Sequence, residues 1–325
     1  MGNVERTEVN WGITAGAGQR QCVCQMNELA NQNDISSLPD IDALWTYDDP
    51  AAAERNFQEL LPRAREAQNN DYLAQLLTQL ARSQVLQRQY DKGHATLDQA
   101  AQLLTDDTPT ANVRFLLERG RAWNDTGRVE QAKPAFEQAY YLAVKAGLDT
   151  LAVDAAHMLG VMEPFDVAAQ WNLRAIEIAE NSQELRARDW IGTLYINLGW
   201  NYQRLGNYAR SEQSFARAIP LLETAGKAAR ARLARLCMAK NQRLRGDAVG
   251  ALSVQERLLS EIAAAHEPDG YVQEEIAECL LTLGRNDEAK AYFGRAYLSL
   301  STYTWFPPNE AARLQRMKSM SELSD

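Results

Sequence analysis

Three histidines, four cysteines and one dense run of basic residues are the groups in this 325-residue chain whose chemistry could be put to use. His94, His157 and His266 stand far apart in sequence, and none has the spaced carboxylate or cysteine partners that a metal site or a catalytic triad needs within one element. Each reads as a core or solvated histidine. Cys22 and Cys24 are separated by one residue, whereas zinc sites space their first pair by two to four and need two further ligands. Cys237 and Cys279 each fall inside a helical apolar pattern, and no disulfide framework follows from the four positions. Gly12, Gly16 and Gly18 lack the spacing of a phosphate loop and the lysine followed by Ser or Thr that completes one. Asp48-Asp49 and Asp106-Asp107 fall at loops or helix starts, where they favour the positive end of a helix. No catalytic residue, metal or cofactor is expected, and the chain does not read as an enzyme.

The basic run is sharper. Lys227, Arg230, Arg232, Arg235, Lys240, Arg243 and Arg245 fall between positions 227 and 245 with no acidic residue among them. Three readings stay open: a face that meets an acidic partner, a nucleic-acid-binding or regulatory helix, or a solvated face neutralised by acids on neighbouring repeats, such as Glu256 and Glu278. A formal net charge of −9 argues against nucleic-acid binding over the whole surface, because phosphate neutralisation needs clustered Lys and Arg.

With 46% apolar and 24% charged residues, the composition suits a soluble folded chain. No apolar run approaches the roughly 20 residues of a membrane span, and the first residues lack a secretory pattern. Arg6 stands where a myristoylation signal wants Ser or Thr. These signals lead to the expectation of a cytoplasmic protein that makes no membrane contact.

The elements that must position these groups are helices in pairs. Ile191, Leu194, Tyr195, Leu198, Tyr202 and Leu205 recur at helical spacing, as do Tyr208, Phe215, Ala218, Ile219 and Leu222, and Gly206 separates the two sets. The skeleton recurs upstream as Leu116, Gly120, Trp123, Gly127, Ala132, Phe136 and Ala139, and downstream as Gly284, Ala289, Phe293 and Ala296. Weaker copies run through Leu77, Leu80, Ala81, Tyr90, Gly93, Leu97 and Ala100, and through Met238, Ala239, Gly246, Ala251 and Leu258. Another carries Leu159, Gly160, Ala168 and Ala175, is four residues shorter, and so has lost one helical turn where Pro164 caps the pair. Corresponding positions recur at about 36 to 43 residues.

Leucine-glycine, tyrosine, glycine-x-tyrosine and then aromatic-x-x-alanine resembles the tetratricopeptide repeat in an extended variety. The resemblance implies an all-α fold: a right-handed superhelical solenoid of about six helix hairpins plus capping helices. Residues 1–35 read as disordered or loosely packed, 36–71 as an N-terminal cap, 72–300 as the array and 301–325 as a C-terminal capping helix with Ala312, Leu314 and Met317 as its apolar stripe.

The resemblance further implies a non-catalytic scaffold that holds a protein or peptide on a concave wall lined by the first helix of each hairpin. That wall would receive Gln75, Thr78, Arg82, Arg114, Leu117, Arg121, Asn124, Ile196, Trp200, Gln203, Arg204, Leu236, Lys240, Arg243, Tyr271, Glu274 and Glu278. Its arginines suggest an acidic segment as partner, bound through Arg82, Arg114, Arg121, Asn124, Arg204, Lys240 and Arg243 with Trp200 and Tyr271 as apolar anchors. Trp200 is expected to be exposed. Homo-oligomerisation is compatible with the sequence but no motif directs it. Thr78 and Arg82 stand where the carboxylate clamp of some family members wants Lys and Asn, so that function is not carried over.

Overall fold

The computed structural model describes residues 38–46, 48–267, 269–302 and 311–321. The segment 1–35 with Cys22 and Cys24, and Pro307 and Pro308, lie outside them. Every regular element among the described residues is helical: after a 3-10 turn at Ile41–Leu44 come α1 (Pro50–Glu66), α2 (Asn70–Leu86), α3 (Tyr90–Ala101), α4 (Pro109–Asp125), α5 (Val129–Ala146), α6 (Asp149–Met162), α7 (Phe165–Asn181) and α8 (Leu185–Arg188). These are followed by α9 (Ile191–Arg204), α10 (Tyr208–Thr224), α11 (Ala228–Leu244), α12 (Ala248–Ala264), α13 (Gly270–Thr282), α14 (Asn286–Leu300) and α15 (Ala311–Ser321). Packing divides the chain at 194/195 into two compact units. The first contains α1 and the hairpins α2/α3, α4/α5 and α6/α7; the second contains α9 from Tyr195 onward, its partner α10, the hairpins α11/α12 and α13/α14, and α15.

α1 starts where Asp49 accepts a hydrogen bond from the Ala52 amide at 2.9 Å and Pro50 fills the first helical position. Phe57 and Leu60 of α1 pack with Leu76, Leu77 and Leu80 of α2, closing the apolar end of the first unit. Within a hairpin, the two helices cross where a small residue meets a large one. A Cβ added to Gly120 would lie 2.7 Å from the Phe136 ring, and one added to Gly199 would lie 2.6 Å from the Phe215 ring. Only glycine admits that approach. The corresponding residues elsewhere are Ala81 with Leu97, Gly160 with Asn172, Ala239 with Gln255 and Ala277 with Phe293, all but Gly160 buried.

The weaker copies are weak for visible reasons. The link into the second helix uses left-handed glycine at Gly127, Gly206, Gly246 and Gly284, but Arg88 at φ 61° in the first hairpin. In α6/α7 only Glu163 and Pro164 separate the helices, and α6 stops two residues after Gly160, so the missing turn comes from the end of α6. In α7 and α12 the aromatic is replaced by a buried amide. Asn172 donates to the Ala168 carbonyl and Gln255 to the Leu236 carbonyl, each at 3.0 Å, while Asn172 Oδ1 and Gln255 Oε1 have no partner. A buried acceptor left unpaired costs about 1–3 kcal/mol. Gln255→Leu is therefore expected to stabilise the protein by about 1 kcal/mol, read as a higher urea midpoint at unchanged slope. A lower midpoint would mean that the amide oxygen is satisfied in solution.

The stripe of α15 differs from the sequence reading. Met317 is fully buried and Leu314 partly so, whereas Ala312 is exposed because the helix turns the 313–314–317 face towards its neighbours.

Candidate functional site

The first helices α2 and α4 of the first unit, and α9, α11 and α13 of the second, carry all the residues singled out by the sequence as a binding wall. Most of their cations are already engaged. Arg82 bonds Glu118 at 3.1 Å and stacks over Trp45, and Arg121 bonds Glu118 at 2.7 Å and also reaches Asp154. The four side chains form an alternating chain of charges across α2, α4 and α6. Burial pushes the Asp154 carboxyl up, but the positive charges of Arg121 and Arg82 outweigh it and hold the group below its ordinary value. Arg114 forms a two-pronged pair with Asp42 at 2.9 and 2.7 Å, and Arg186 of α8 shares the same carboxylate at 2.8 Å. Asn124, in the last turn of α4, is partly exposed.

In the second unit, Lys240 and Arg243 of α11 converge on Glu275 of α13 at 2.7 and 2.9 Å. Burial raises the Glu275 carboxyl, and the charges of Lys240 and Arg243 more than reverse this, leaving it below the ordinary range. Trp200 is partly buried, not exposed as expected: its ring nitrogen donates to Cys237 Sγ at 3.1 Å, on the neighbouring first helix. Burial pushes the Cys237 thiol up to about 11 and the Cys279 thiol up to about 12, so neither is a nucleophile near neutral pH. Gln203 donates to Asn241 at 2.7 Å, Asn241 to Ser211 at 2.8 Å and Ser211 to the Gly199 carbonyl at 2.8 Å, a relay that ties α9, α10 and α11 together. Arg204 ends α9 exposed. Tyr271 lies under the Arg313 guanidinium of α15, 5.2 Å from ring to cation.

Five other residues assigned to the wall face neighbouring helices instead: Thr78, Leu117, Ile196, Leu236 and Glu274 are buried. Within each unit, successive first helices pack closely enough that only a narrow strip of each remains accessible. The acidic residues that the sequence reading left out, Asp42, Glu118, Asp154 and Glu275, are the partners of the cations it selected. Their signal was available. Arg82 and Glu118, Arg121 and Asp154, and Arg243 and Glu275 are separated by 36, 33 and 32 residues, close to one repeat.

The basic run behaves in the same way. Arg232 pairs with Glu267, Arg235 with Glu223 and Glu261, Lys240 and Arg243 with Glu275, and Arg245 with Glu212. These are acids on adjoining segments, though not the Glu256 and Glu278 named from the sequence. Of the histidines, His157 is buried against Trp190, His266 is exposed in a left-handed turn, and His94 faces Arg119, which with burial holds its imidazole below the ordinary value. Among the described residues no group of three or more His, Cys, Asp or Glu could hold a metal ion, and no helix is long and apolar enough to cross a membrane.

Segments 192–221 and 272–298, which are the hairpins α9/α10 and α13/α14, match the tetratricopeptide repeat. These two hairpins, like α4/α5, keep both the small residue and the phenylalanine at the crossing. No curated protein matches the chain. Among solved structures, the chain resembles a signal transduction ATPase with numerous domains and a tetratricopeptide repeat sensor from Pyrococcus horikoshii, with a TM-score of 0.63 at 14% identity over 86% of this chain. It spans 43% of that protein's length. It also resembles the apo form of the quorum sensor NprR from B. thuringiensis, with a TM-score of 0.60 at 14% identity over 86% of this chain and 78% of the other. NprR in complex with its cognate peptide NprX gives 0.54 at 14% identity, covering 85% and 81%. At these identities the likeness is one of fold. Two of its hairpins match the tetratricopeptide repeat, and the chain shares the fold of proteins built from that repeat.

Proposed function

We propose that the chain is a non-catalytic scaffold that holds a protein or peptide segment on the accessible strips of its first helices. The observation that carries this reading is the build of those strips. Within each unit, ion pairs and amide relays fix one first helix to the next, and accessible polar and aromatic side chains stand on them: Asn124 in the first unit, and Trp200, Arg204 and Lys240 in the second. Side chains held in place before binding lose less entropy when a ligand arrives. The likeness in fold to a quorum sensor crystallised with its cognate peptide lends support.

An acidic partner no longer follows from the arginines. Arg82, Arg121, Lys240 and Arg243 are balanced by Glu118, Asp154 and Glu275, so an acidic ligand would have to compete with carboxylates already in place. The same balance over 227–245 gives a nucleic-acid reading no support of its own.

The test is affinity capture from source-cell lysate, with nuclease, using wild type, Asn124→Ala, Arg204→Ala and the control Arg257→Ala, an exposed residue of the second helix α12. A protein retained by wild type and Arg257→Ala but lost from either of the other two is the expected result. The same proteins on all four baits would remove the first-helix strips as the binding site. Glutamate at Arg121 or Arg243 is unsuitable, because it would stand beside Glu118 and Asp154, or beside Glu275, and disturb the fold itself.

A further inference from the structure

In the first unit, the links of the hairpins α2/α3 and α4/α5 border a surface hollow of about 520 Å³ lined by Arg88, Tyr90, Asp91, Lys92, His94 and Arg128, among others. Two arginines there go against local preference. Arg88 holds φ 61° at the place where four other links have glycine, a left-handed conformation that a side chain makes costly. Arg128 directly precedes α5, at the positive end of the helix, where an acceptor such as Asp247 before α12 is favoured and a cation is not. Neither Gln89 nor Arg128 caps its helix with a side-chain hydrogen bond, so the first amides of α3 and α5 have no side-chain acceptor at the cap. Both arginines are exposed, and neither guanidinium has a hydrogen bond or ion pair among the described residues. Their neighbours differ: Lys92 is held by Glu54 at 2.6 Å, and Arg119 by Asp98. The corresponding hollow of the second unit, lined by Gly206, Asn207, Tyr208 and Arg245, shows the ordinary build. Glycine makes the left-handed turn, Asn207 accepts from the Arg210 amide, and Arg245 is paired with Glu212. Local preferences broken twice at one hollow, with the charge left unpaired, mark residues held for binding and not for the fold.

We propose that this hollow is an oxyanion site that takes a phosphate group, with Arg88 and Arg128 as its charged ligands. A guanidinium presents paired N–H donors that match phosphate oxygens, and it stays charged at every physiological pH. The uncapped starts of α3 and α5 add to the attraction for an anion. Three cations line the hollow against one carboxylate, Asp91, and Lys92 is already paired, so a bound anion falls to the two arginines. The site lies at the links, apart from the first-helix strips, and does not depend on the peptide-holding reading. The phosphate enters free or on a phosphorylated side chain.

The experiment follows thermal unfolding of the full-length chain as inorganic phosphate rises to about 20 mM at constant ionic strength. The wild-type Tm is expected to rise with phosphate. Arg88→Gly and Arg128→Asp should each weaken binding by about tenfold or more, and Arg257→Ala should match wild type. Without phosphate, both arginine variants should unfold at or above the wild-type temperature, because each installs the residue that the local backbone prefers. A second readout is His94, whose imidazole is held low by burial, Arg119 and Arg128 against Asp98 and Asp91. Followed by NMR in saturating sulfate, it should titrate higher in wild type, since an added anion favours its charged form. A phosphoserine pentapeptide that binds more tightly than inorganic phosphate assigns the ligand to a phosphorylated protein, and equal or weaker binding assigns it to a free phosphate. No phosphate-dependent rise in wild type, an equal rise in both arginine variants, or arginine variants that unfold well below wild type without phosphate overturns the proposal.

Discussion

Gly199→Leu is expected to lower the unfolding free energy by about 3 kcal/mol or more, the upper end of what overpacking costs. An added Cβ would stand 2.6 Å from Cε1 of Phe215 and 2.8 Å from two further ring atoms, before any of the leucine's branches is placed. The ring has no free side to move to, since Phe215 is fully buried. Leucine recovers roughly 0.8 kcal/mol of helix propensity relative to glycine, which does not offset the clash. Gly120→Leu should behave alike against Phe136, where the approach is 2.7 Å. The decisive measurement is a double-mutant cycle by urea unfolding. Phe215→Ala alone should cost about 3–5 kcal/mol, and Gly199→Leu/Phe215→Ala should cost less than the two singles together by about 1–3 kcal/mol, because the leucine enters the space the ring vacates. Additive losses would mean that the crossing is not set by this pair. Hydrogen exchange adds the second half of the test. In a stack of nearest-neighbour contacts, protection should fall in α9 and α10 more than in α13 and α14, and an equal fall in all of these helices would contradict modular stability.

The same pair shows what the sequence makes legible. Helix, link and crossing are local in pattern: apolar residues three and four apart, a glycine to stop, and a small residue set against an aromatic a fixed distance later. That is why six hairpins, the lost turn before Pro164 and the helix opened by Pro50 could all be placed from residue types. Contacts between successive first helices are set by how repeats stack, and only a spacing of about one repeat, not the helical period, reports them. Arg82 and Arg243 therefore read as ligands when their partners lay one repeat away. A run contiguous in sequence also turns through every direction on a helix. Arg232, Arg235, Arg243 and Arg245 look like one patch on paper but end at four different sets of carboxylates. Trp200 reads as solvent-facing because its helix buries the opposite side in its own hairpin, yet the next first helix covers it through Cys237. The division at 194/195 falls inside α9, where no composition shift marks it.

Glu275→Gln is expected to cost about 3–5 kcal/mol near neutral pH, the usual effect of removing one member of a buried ion pair, since it leaves Arg243 and Lys240 facing a neutral amide. Glu275 is 3% exposed and is an ion-pair partner of both cations. The sign of the pH dependence separates charge pairing from mere packing. Its folded carboxyl sits below the ordinary value of 4.5 because Lys240 and Arg243 outweigh burial. The stability it contributes is therefore present in full above that ordinary value and is lost as pH falls through the lowered one. Wild type should lose stability between about pH 5 and pH 3 more steeply than Glu275→Gln, and the gap between them should narrow as the wild-type carboxyl takes up its proton. Lys240→Met/Arg243→Leu/Glu275→Leu should come much closer to wild type than the single variant, because no charge is then buried without its partner. A gap independent of pH would mean that Glu275 does not act as an anion in the fold. Lys240 and Arg243 would then carry unspent charge on the first-helix face, and an acidic ligand would again be the natural partner for that strip.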